Sequence, residues 1–238
     1  VITNGTAVLG LGDIGPEASK PVMEGKALLF KIFAGIDVFD IEISEKDPEK
    51  FIEAVKAISP SFGGINLEDI KSPEAFIIEE TLKHDLKIPV MHDDQHGTAI
   101  ISGAAVLNGL EVVKKEIGEV SVVILGAGAS AISCARHYLR LGVKPENMTM
   151  VDSKGIVTSK RMENGELNEY KSEFARDVPE GGIREALDGA DVFLGLSKGG
   201  LVSPDMTKSM REKPLIFALA NPDPEITPEQ VSSVRDDA

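Results

Sequence analysis

Short apolar runs alternate with longer amphipathic stretches along almost the whole of this 238-residue chain. The apolar runs have the length and composition of buried strands, and the amphipathic stretches have the spacing of helices. Consecutive parallel strands need a long crossover, and a helix of about ten residues or more is the usual one. The alternation therefore predicts an α/β fold with parallel sheets.

The predicted elements form two successive series. A long helix rich in Ala and Leu, predicted over 97–115, separates them, so we place a domain boundary close to Asp93. The first domain then covers residues 1–92 and the second residues 93–238. The predicted strands are 6–9, 36–43, 64–67 and 88–91 in the first series, and 120–125, 147–151, 192–194 and 215–219 in the second.

Composition excludes several classes of protein. The chain has 39 acidic and 25 basic residues, a net charge of −14, whereas nucleic acids and anionic membranes are bound by clustered Lys and Arg. No uninterrupted apolar run reaches the roughly 18 residues of a membrane span, and no signal-peptide pattern opens the chain. Cys134 is the only cysteine, so no internal disulfide can form, and we expect a cytoplasmic location. Because the chain starts at Val1, we expect it to be part of a longer protein.

The segment GAGASA has the context of a dinucleotide-binding turn. Its small residues Gly126, Gly128 and Ala131 follow the predicted strand 120–125 and precede a predicted helix. Such residues allow a tight bend, a close approach to pyrophosphate and close helix packing. Asp152 ends the next strand, where an acid can accept hydrogen bonds from ribose hydroxyls. The second domain is therefore predicted to have a Rossmann-type fold, although a tight turn without a ligand is the alternative.

A second glycine turn, GLGDIG, has less favourable chemistry. It contains Gly10, Gly12 and Gly15, but Asp13 lies inside the turn and Glu17 follows it. Carboxylates there would oppose a pyrophosphate. We therefore favour a sheet turn beside an active site over a second nucleotide site.

Two acidic pairs follow predicted strands of the first domain. Glu68–Asp69 comes after strand 64–67, and Asp93–Asp94 after strand 88–91. Ligand sites of parallel sheets lie beyond the carboxyl ends of the strands. Crowded carboxylates need a cation or a lysine to offset their charge, and oxygen-only ligands favour Mg²⁺ or Mn²⁺. The alternative is that the acids only cap helices.

A lysine facing these acids could abstract a proton, and three lie on the first predicted helix. They are Lys20, Lys26 and Lys31, and their spacing does not choose among them. His92 and His96 flank the second acidic pair, and we interpret them as structural hydrogen-bonding residues.

The segments PVMEGK, NLEDI, HDDQHGT, GAGASA and ANPDP, taken together and in this order, closely resemble malic enzymes of the compact bacterial and archaeal type. The resemblance covers essentially the whole chain. It implies oxidative decarboxylation of (S)-malate to pyruvate and CO₂, with NAD or NADP as oxidant and Mn²⁺ or Mg²⁺ as the metal. It also leads us to expect a homodimer or a higher homo-oligomer.

The resemblance assigns roles by motif. Lys26 matches the general base, Asp93 the acid that pairs with it, and Glu68, Asp69 and Asp94 match the metal ligands. Asn221 matches an asparagine beside the substrate and the nicotinamide. The residues expected to bind the cofactor are Gly126, Ala127, Gly128, Ala129, Ser130, Asp152 and Asn221. NAD is the expected cofactor, with NADP possible, because Asp152 would repel a 2′-phosphate while Lys154 lies close enough to weaken that repulsion.

Some family features are absent. No tyrosine of this chain matches the family's catalytic tyrosine, which would lie upstream of Val1, and a second asparagine segment would lie beyond Ala238. Ala7 replaces an arginine of the larger relatives. We therefore expect both ends of the protein to extend beyond this chain. Two other functions stay open, a metal-independent 2-hydroxy- or amino-acid dehydrogenase and a non-catalytic nucleotide-binding module.

Overall fold

The computed structural model describes all 238 residues, which form two compact units. The first unit is Val1–Gly97 and the second is Thr98–Ala238. The domain division predicted between residues 92 and 93 remains a prediction, because compactness alone does not define an independent domain.

The first unit contains a four-stranded parallel sheet in the order β2-β1-β3-β4. Its strands are short, because each adds only two or three residues to the ladder. The strands are β1 (Ile2–Thr3), β2 (Ile41–Glu42), β3 (Ile65–Leu67) and β4 (Val90–His92), and the helices are α1 (Gly15–Ala34), α2 (Pro48–Ile58), α3 (Glu74–Asp85) and α4 (Asp93–Val113), which continues into the second unit.

Apolar side chains of α2 and α3 form the core of this unit with the sheet. Phe51, Val55, Leu67 and Leu82 are completely buried. Asp47 caps α2, since its side chain accepts a hydrogen bond from the Lys50 backbone N–H. Burial of these side chains is the main force that holds the short strands together.

The predicted first strand, 6–9, is wrong. The structure places β1 earlier in the chain, and Val8 instead pairs with Gly12 across a tight turn. Gly10 and Gly12 adopt positive φ angles of 77° and 81° in this turn, a conformation that glycine accepts without strain. The glycines therefore end the extended segment before it can join the sheet. The second strand is also shorter than the predicted 36–43.

The second unit contains a five-stranded sheet in the order β7-β6-β5-β8-β9, parallel except for β7. The order reverses between β5 and β8, which is the switch point where ligands bind in such sheets. This confirms the predicted α/β class with two parallel-sheet units. The strands are β5 (Val122–Leu125), β6 (Met148–Asp152), β7 (Gly155–Ile156), β8 (Val192–Gly195) and β9 (Leu215–Ala218), and the helices are α5 (Ala129–Leu141), α6 (Ser159–Glu163), α7 (Glu169–Ser172), α8 (Ile183–Leu187), α9 (Pro204–Lys208) and α10 (Pro228–Ser232).

Helix α4 has the length and apolar composition that a membrane crossing requires, with a mean hydropathy of 1.2. One such helix is weak evidence for a membrane span, because helices of soluble proteins meet the same two criteria.

A buried carboxylate joins α3 to β4 and to the start of α4. Glu79 accepts a hydrogen bond from the His92 backbone N–H (2.9 Å) and lies 2.8 Å from both the Lys83 ammonium and the His96 ring. Burial alone would raise the pKa of Glu79. The hydrogen bonds from His96, Lys83 and the His92 backbone outweigh burial and lower that pKa to about 2. The ionised form of Glu79 therefore stabilises the fold.

We expect Glu79→Gln to lower the free energy of unfolding of the first unit by about 2 kcal/mol at pH 7. The pKa of Glu79 is depressed in the fold, so the ionised carboxylate contributes fully above the unfolded value of 4.5. That contribution should fade as the pH falls towards about 2. Native-state hydrogen exchange of the β3 and β4 amides measures the difference. Glu80→Gln, on the exposed side of the same helix, is the control; a difference that does not depend on pH would contradict this account.

Candidate active site

The register of two neighbouring strands brings the acidic pairs of the first unit together. β3 and β4 are parallel, and Leu67 is paired with His92. The next residues along each strand are Glu68 and Asp93, so both acidic pairs leave the sheet at the same edge. Carboxyl ends of parallel strands are the usual place for a ligand in an α/β protein.

Three of these carboxylates form a compact group of oxygen ligands. Glu68, Asp69 and Asp94 each offer an atom, and these atoms lie within 4.8 Å of one another. Around a six-coordinate Mg²⁺ or Mn²⁺ the ligand oxygens stand roughly 3 to 4 Å apart, given metal–oxygen distances of about 2.1 Å. The group therefore has the chemistry and the size of a site for a divalent cation.

Burial and mutual repulsion raise the pKa values of two of these acids. Asp69 is buried and faces the charges of Asp94 and Glu68, which together raise its pKa to about 7. Glu68 is also buried, and burial followed by the charge of Asp94 raises its pKa. Such shifts mean that the ionised forms lack compensating positive charge, which a bound cation would supply.

The backbone at Asp69 adopts a strained conformation, and hydrogen bonds on both sides hold the residue in the carboxylate group. Its φ angle of 53° lies in the left-handed region. The Asp69 backbone N–H donates a hydrogen bond to Asp94 Oδ2 at 2.8 Å. On the other side, Ala7 N–H donates to the Asp69 carbonyl at 2.9 Å, and the Leu9 backbone N–H bonds to the Asp69 carboxylate. The residues just before the GLGDIG turn thus contact Asp69, and the interpretation of that turn as one beside an active site stays a prediction.

Helix α1 supplies one lysine to the group. Lys26 Nζ donates to Asp93 Oδ2 at 2.5 Å and to the Glu68 carboxylate at 3.1 Å. Lys20 instead bonds to Asp40, and Lys31 forms an exposed ion pair with Asp37. Among the three candidate lysines, the structure therefore brings only Lys26 to the carboxylates.

The charges around Lys26 set the pKa of its ammonium group. Burial alone would lower its pKa, but the hydrogen bond to Asp93 and the charge of Glu68 outweigh burial. The pKa of Lys26 therefore lies above its ordinary value. Any change that withdraws negative charge from Glu68 or Asp93 will lower that pKa.

In the second unit, the GAGASA turn follows β5 and leads into α5. Gly126 has a φ angle of 127°, and a Cβ atom there would lie 2.6 Å from the Leu196 carbonyl oxygen. Gly128 is the N-cap of α5, and a Cβ atom there would meet open space. Glycine is thus required at the bend itself, and the start of the helix is left open for a ligand. This geometry fits a dinucleotide pyrophosphate.

Asp152 ends β6, as predicted, but its side chain is only 6% exposed and already has protein partners. Arg161 forms a two-pronged ion pair with it at 2.9 and 3.0 Å, and Lys171 Nζ donates at 3.2 Å. Sequence spacing identified the acid but neither of these cations. Its role as an acceptor for ribose hydroxyls stays a prediction.

The loop that contains Asn221 is held by an acid that sequence reasoning missed. Glu225 is completely buried and accepts hydrogen bonds from the Ser197 backbone N–H at 2.9 Å and the Ala220 backbone N–H at 3.1 Å. These two residues follow β8 and β9, so one carboxylate joins two strand ends. A Cβ atom at Gly195 would lie 2.4–2.7 Å from the same carboxylate, so a larger residue there would displace the Glu225 side chain. The sequence offered one signal for this role, an acid placed between Pro224 and Ile226 in the segment PDPEI.

Comparison with protein-family models gives two adjoining matches. Residues 1–83 match the model described as "Malic enzyme, N-terminal domain", and residues 95–238 match "Malic enzyme, NAD binding domain".

Individual relatives agree with these matches. The chain is 54% identical to the NADP-dependent malic enzyme of Haemophilus influenzae and 53% identical to the NAD-dependent malic enzyme of Rhizobium meliloti, in each case over 100% of this chain and 31% of the relative. The crystal structure of the NAD-dependent malic enzyme of Thermotoga maritima is 49% identical and superimposes with a TM-score of 0.93, over 98% of this chain and 62% of that one. The chain thus spans about a third of the length of the curated relatives named here.

We expect Glu225→Ala to destabilise the second unit by about 2 kcal/mol, because two buried backbone N–H groups lose their acceptor. Glu225→Gln keeps one acceptor oxygen and should lose less. Chemical denaturation followed through the β8 and β9 amides measures both variants. Equal stability of the alanine variant and the native chain would show that Glu225 does not hold the loop.

Proposed function

Since the chain belongs to the malic enzyme family, we propose that the protein oxidatively decarboxylates (S)-malate to pyruvate and CO₂ with reduction of NAD or NADP. The observation that carries this proposal is the contact of Lys26 with both Asp93 and Glu68 at the edge of a three-carboxylate group. This contact supports a pairing of a candidate general base with a candidate site for a divalent cation, and such a pair can carry the oxidation and decarboxylation of a hydroxy acid.

The three carboxylates are the proposed metal ligands. Glu68, Asp69 and Asp94 offer only oxygen atoms, which suits Mn²⁺ or Mg²⁺ better than a metal that prefers nitrogen or sulfur. A divalent ion bound there would acidify the substrate hydroxyl and stabilise the negative charge that develops when CO₂ departs.

Lys26 is the proposed general base. Its Nζ would take the hydroxyl proton, and Asp93, which accepts a hydrogen bond from Nζ, would hold the amine in the direction of the substrate. Proton abstraction needs a neutral amine. A cation held by Glu68 would leave less unbalanced negative charge facing Lys26 and would therefore lower the pKa of its ammonium group.

The second unit is the proposed site of the oxidant. Its match to an NAD-binding family model and the GAGASA turn support binding of the pyrophosphate by residues 126–130. Asn221 is proposed to face the substrate and the nicotinamide, and Glu225 to hold its loop in place. Relatives of similar identity use NAD in one case and NADP in the other, so family membership alone does not choose the cofactor.

We further propose that the protein acts in the cytoplasm as a homodimer or a higher homo-oligomer and has no nucleic-acid or membrane partner. The lone buried Cys134 supports the cytoplasmic location. The net charge of −14 supports the absence of a nucleic-acid or membrane partner.

Two alternatives make different predictions. A metal-independent dehydrogenase of 2-hydroxy or amino acids would oxidise its substrate after thorough chelation. A non-catalytic nucleotide-binding module would bind a dinucleotide without turning over malate. Neither alternative gives the grouped carboxylates a role. A coupled assay of pyruvate and reduced dinucleotide, with Mn²⁺ present or withheld, separates all three.

We expect Lys26→Ala in the intact protein to reduce kcat by about 10²–10⁴-fold, because the proton acceptor is lost. Dinucleotide affinity, measured by fluorescence titration, should change by less than about twofold. Lys31→Ala is the matched control on the same helix, since Lys31 pairs with Asp37 at the surface. Full activity of the Lys26 variant would exclude it as the base.

We expect Asp94→Asn to weaken Mn²⁺ binding by at least about tenfold, because a charged ligand becomes a neutral one. Titration of Mn²⁺ without substrate, followed by electron paramagnetic resonance, measures the effect directly. Asp85→Asn is the control, since that carboxylate pairs with Lys56 and not with the metal group. An unchanged Mn²⁺ titration would remove Asp94 from the ligand set.

A further inference from the structure

The two histidines that flank the second acidic pair have different surroundings. The His96 side chain is 31% exposed and lies 2.8 Å from Glu79, away from the three grouped carboxylates. His92, the last residue of β4, is completely buried, and its ring lies against Asp94, which belongs to that group. Of the two histidines, the structure therefore brings His92 into contact with the candidate cation site.

The neighbours of the His92 ring determine which of its nitrogens carries the proton. Nε2 lies 3.1 Å from Asp94 Oδ2, and an ionised carboxylate only accepts hydrogen bonds, so the favourable form has the proton on Nε2. Nδ1 lies 3.0 Å from the side-chain nitrogen of Gln95, which only donates, so Nδ1 is the acceptor there. Both neighbours thus select the same form of the ring, a neutral imidazole with its proton on Nε2.

The Nε2–H group of His92 is buried without a well-aligned acceptor. Its distance to Asp94 Oδ2 is short, but the alignment lies outside hydrogen-bond geometry, and no other protein group accepts from this nitrogen. A buried donor without an acceptor costs about 1–3 kcal/mol. Asp94 Oδ2 also accepts from the Asp69 backbone N–H at 2.8 Å, so two donors face the same carboxylate oxygen. Together they restrict the direction in which the Asp94 carboxylate points.

The position of the His92 ring is fixed from several sides. The His92 backbone N–H donates to Glu79 at 2.9 Å, and the pairing of β4 with β3 places the residue beside Leu67. Gln95, which is only 3% exposed, holds Nδ1 from the first turn of α4. The ring therefore cannot move away from Asp94 without breaking buried hydrogen bonds.

We propose that His92 is a positioning residue for the cation, with its Nε2–H donating to Asp94 and directing that carboxylate to the ion, while Gln95 keeps the proton on Nε2. The inference rests on the proposed function, because it assumes that Asp94 is a ligand. It deepens that function by giving a role to two residues of the HDDQHGT segment that neither bind the cation nor transfer a proton. Donors that orient a ligating side chain commonly account for about 10–100-fold in metal affinity.

The first test uses the native intact protein, labelled with ¹⁵N in its histidines and followed by long-range ¹H–¹⁵N correlation. The His92 signals are those that disappear in His92→Asn. We expect a neutral ring with the proton on Nε2, and we expect that proton to move downfield on titration with Mg²⁺, as its alignment with Asp94 improves. Because the native spectrum also shows whether any buried ring has the opposite form, this test does not depend on the folding of the variant.

The second test is a titration of the intact protein with Mn²⁺, without substrate, followed by electron paramagnetic resonance. His92→Asn removes the donor at the Nε2 position and should weaken Mn²⁺ binding by about tenfold or more. His92→Gln places an amide N–H at the same number of bonds from Cβ, so it should restore the affinity to within about threefold of the native value. His96→Asn is the matched control, since His96 bonds to Glu79 instead, and it should change the affinity by less than about twofold.

Several results would overturn the inference. These are a His92 ring with its proton on Nδ1, an Nε2–H signal that saturating Mg²⁺ leaves unchanged, a loss in His96→Asn as large as in His92→Asn, and a His92→Gln variant no better than His92→Asn. Failure of the proposed function looks different. A protein that binds Mn²⁺ with the help of His92 but does not turn over malate refutes only the activity. Malate turnover with Mn²⁺ affinity that depends on Asp94 but not on His92 refutes only the inference.

Discussion

Crowding of carboxylates at one edge of the sheet is the constraint on which the candidate site of the first unit depends. Glu68, Asp69 and Asp94 share one edge of a parallel sheet, and their crowding raises the pKa of Asp69 to about 7. Such an arrangement is tolerated only where positive charge is near. Lys26, on α1, supplies one positive charge, which does not balance all of the carboxylates. A cation bound among these oxygens would relieve that repulsion.

The geometry of this group depends on features remote from the acids. The parallel register of β3 and β4 sets which residues leave the sheet together, and Glu79 fixes the end of β4 through the His92 backbone. The segment between β1 and the glycine turn donates backbone hydrogen bonds to Asp69, from Ala7 and from Leu9. In the second unit, Glu225 plays a similar part for the strand ends that carry Asn221. Buried acids that bond to backbone therefore set the positions of the residues proposed to do the chemistry.

The alternation of apolar runs was sufficient to predict the α/β class. The two acidic pairs led to the hypothesis of a cation site, which stays a prediction, and the structure brings three of those four acids together. Both predictions rest on short-range patterns. The first strand was predicted in the wrong place because Gly10 and Gly12 bend the chain directly after the apolar segment 6–9. Hydrophobic periodicity carries no information about the positive φ angles that produce this bend. The spacing of Lys20, Lys26 and Lys31 left three candidates, because only the packing of α1 on the sheet chooses among them. Arg161 and Lys171 were missed for the same reason, since their meeting with Asp152 depends on how the segment after β6 folds back.

The left-handed backbone at Asp69 restricts which residues can occupy that position. Among residues with a Cβ atom, asparagine and aspartate enter this region most readily, and a longer acid such as glutamate is disfavoured there. Glycine would relax the backbone but would bring no ligand, and asparagine would keep the shape but lose the charge. Only aspartate satisfies both requirements. The left-handed conformation at this one position thus narrows the choice of residue there, at a cost in backbone strain of the order of 1–3 kcal/mol.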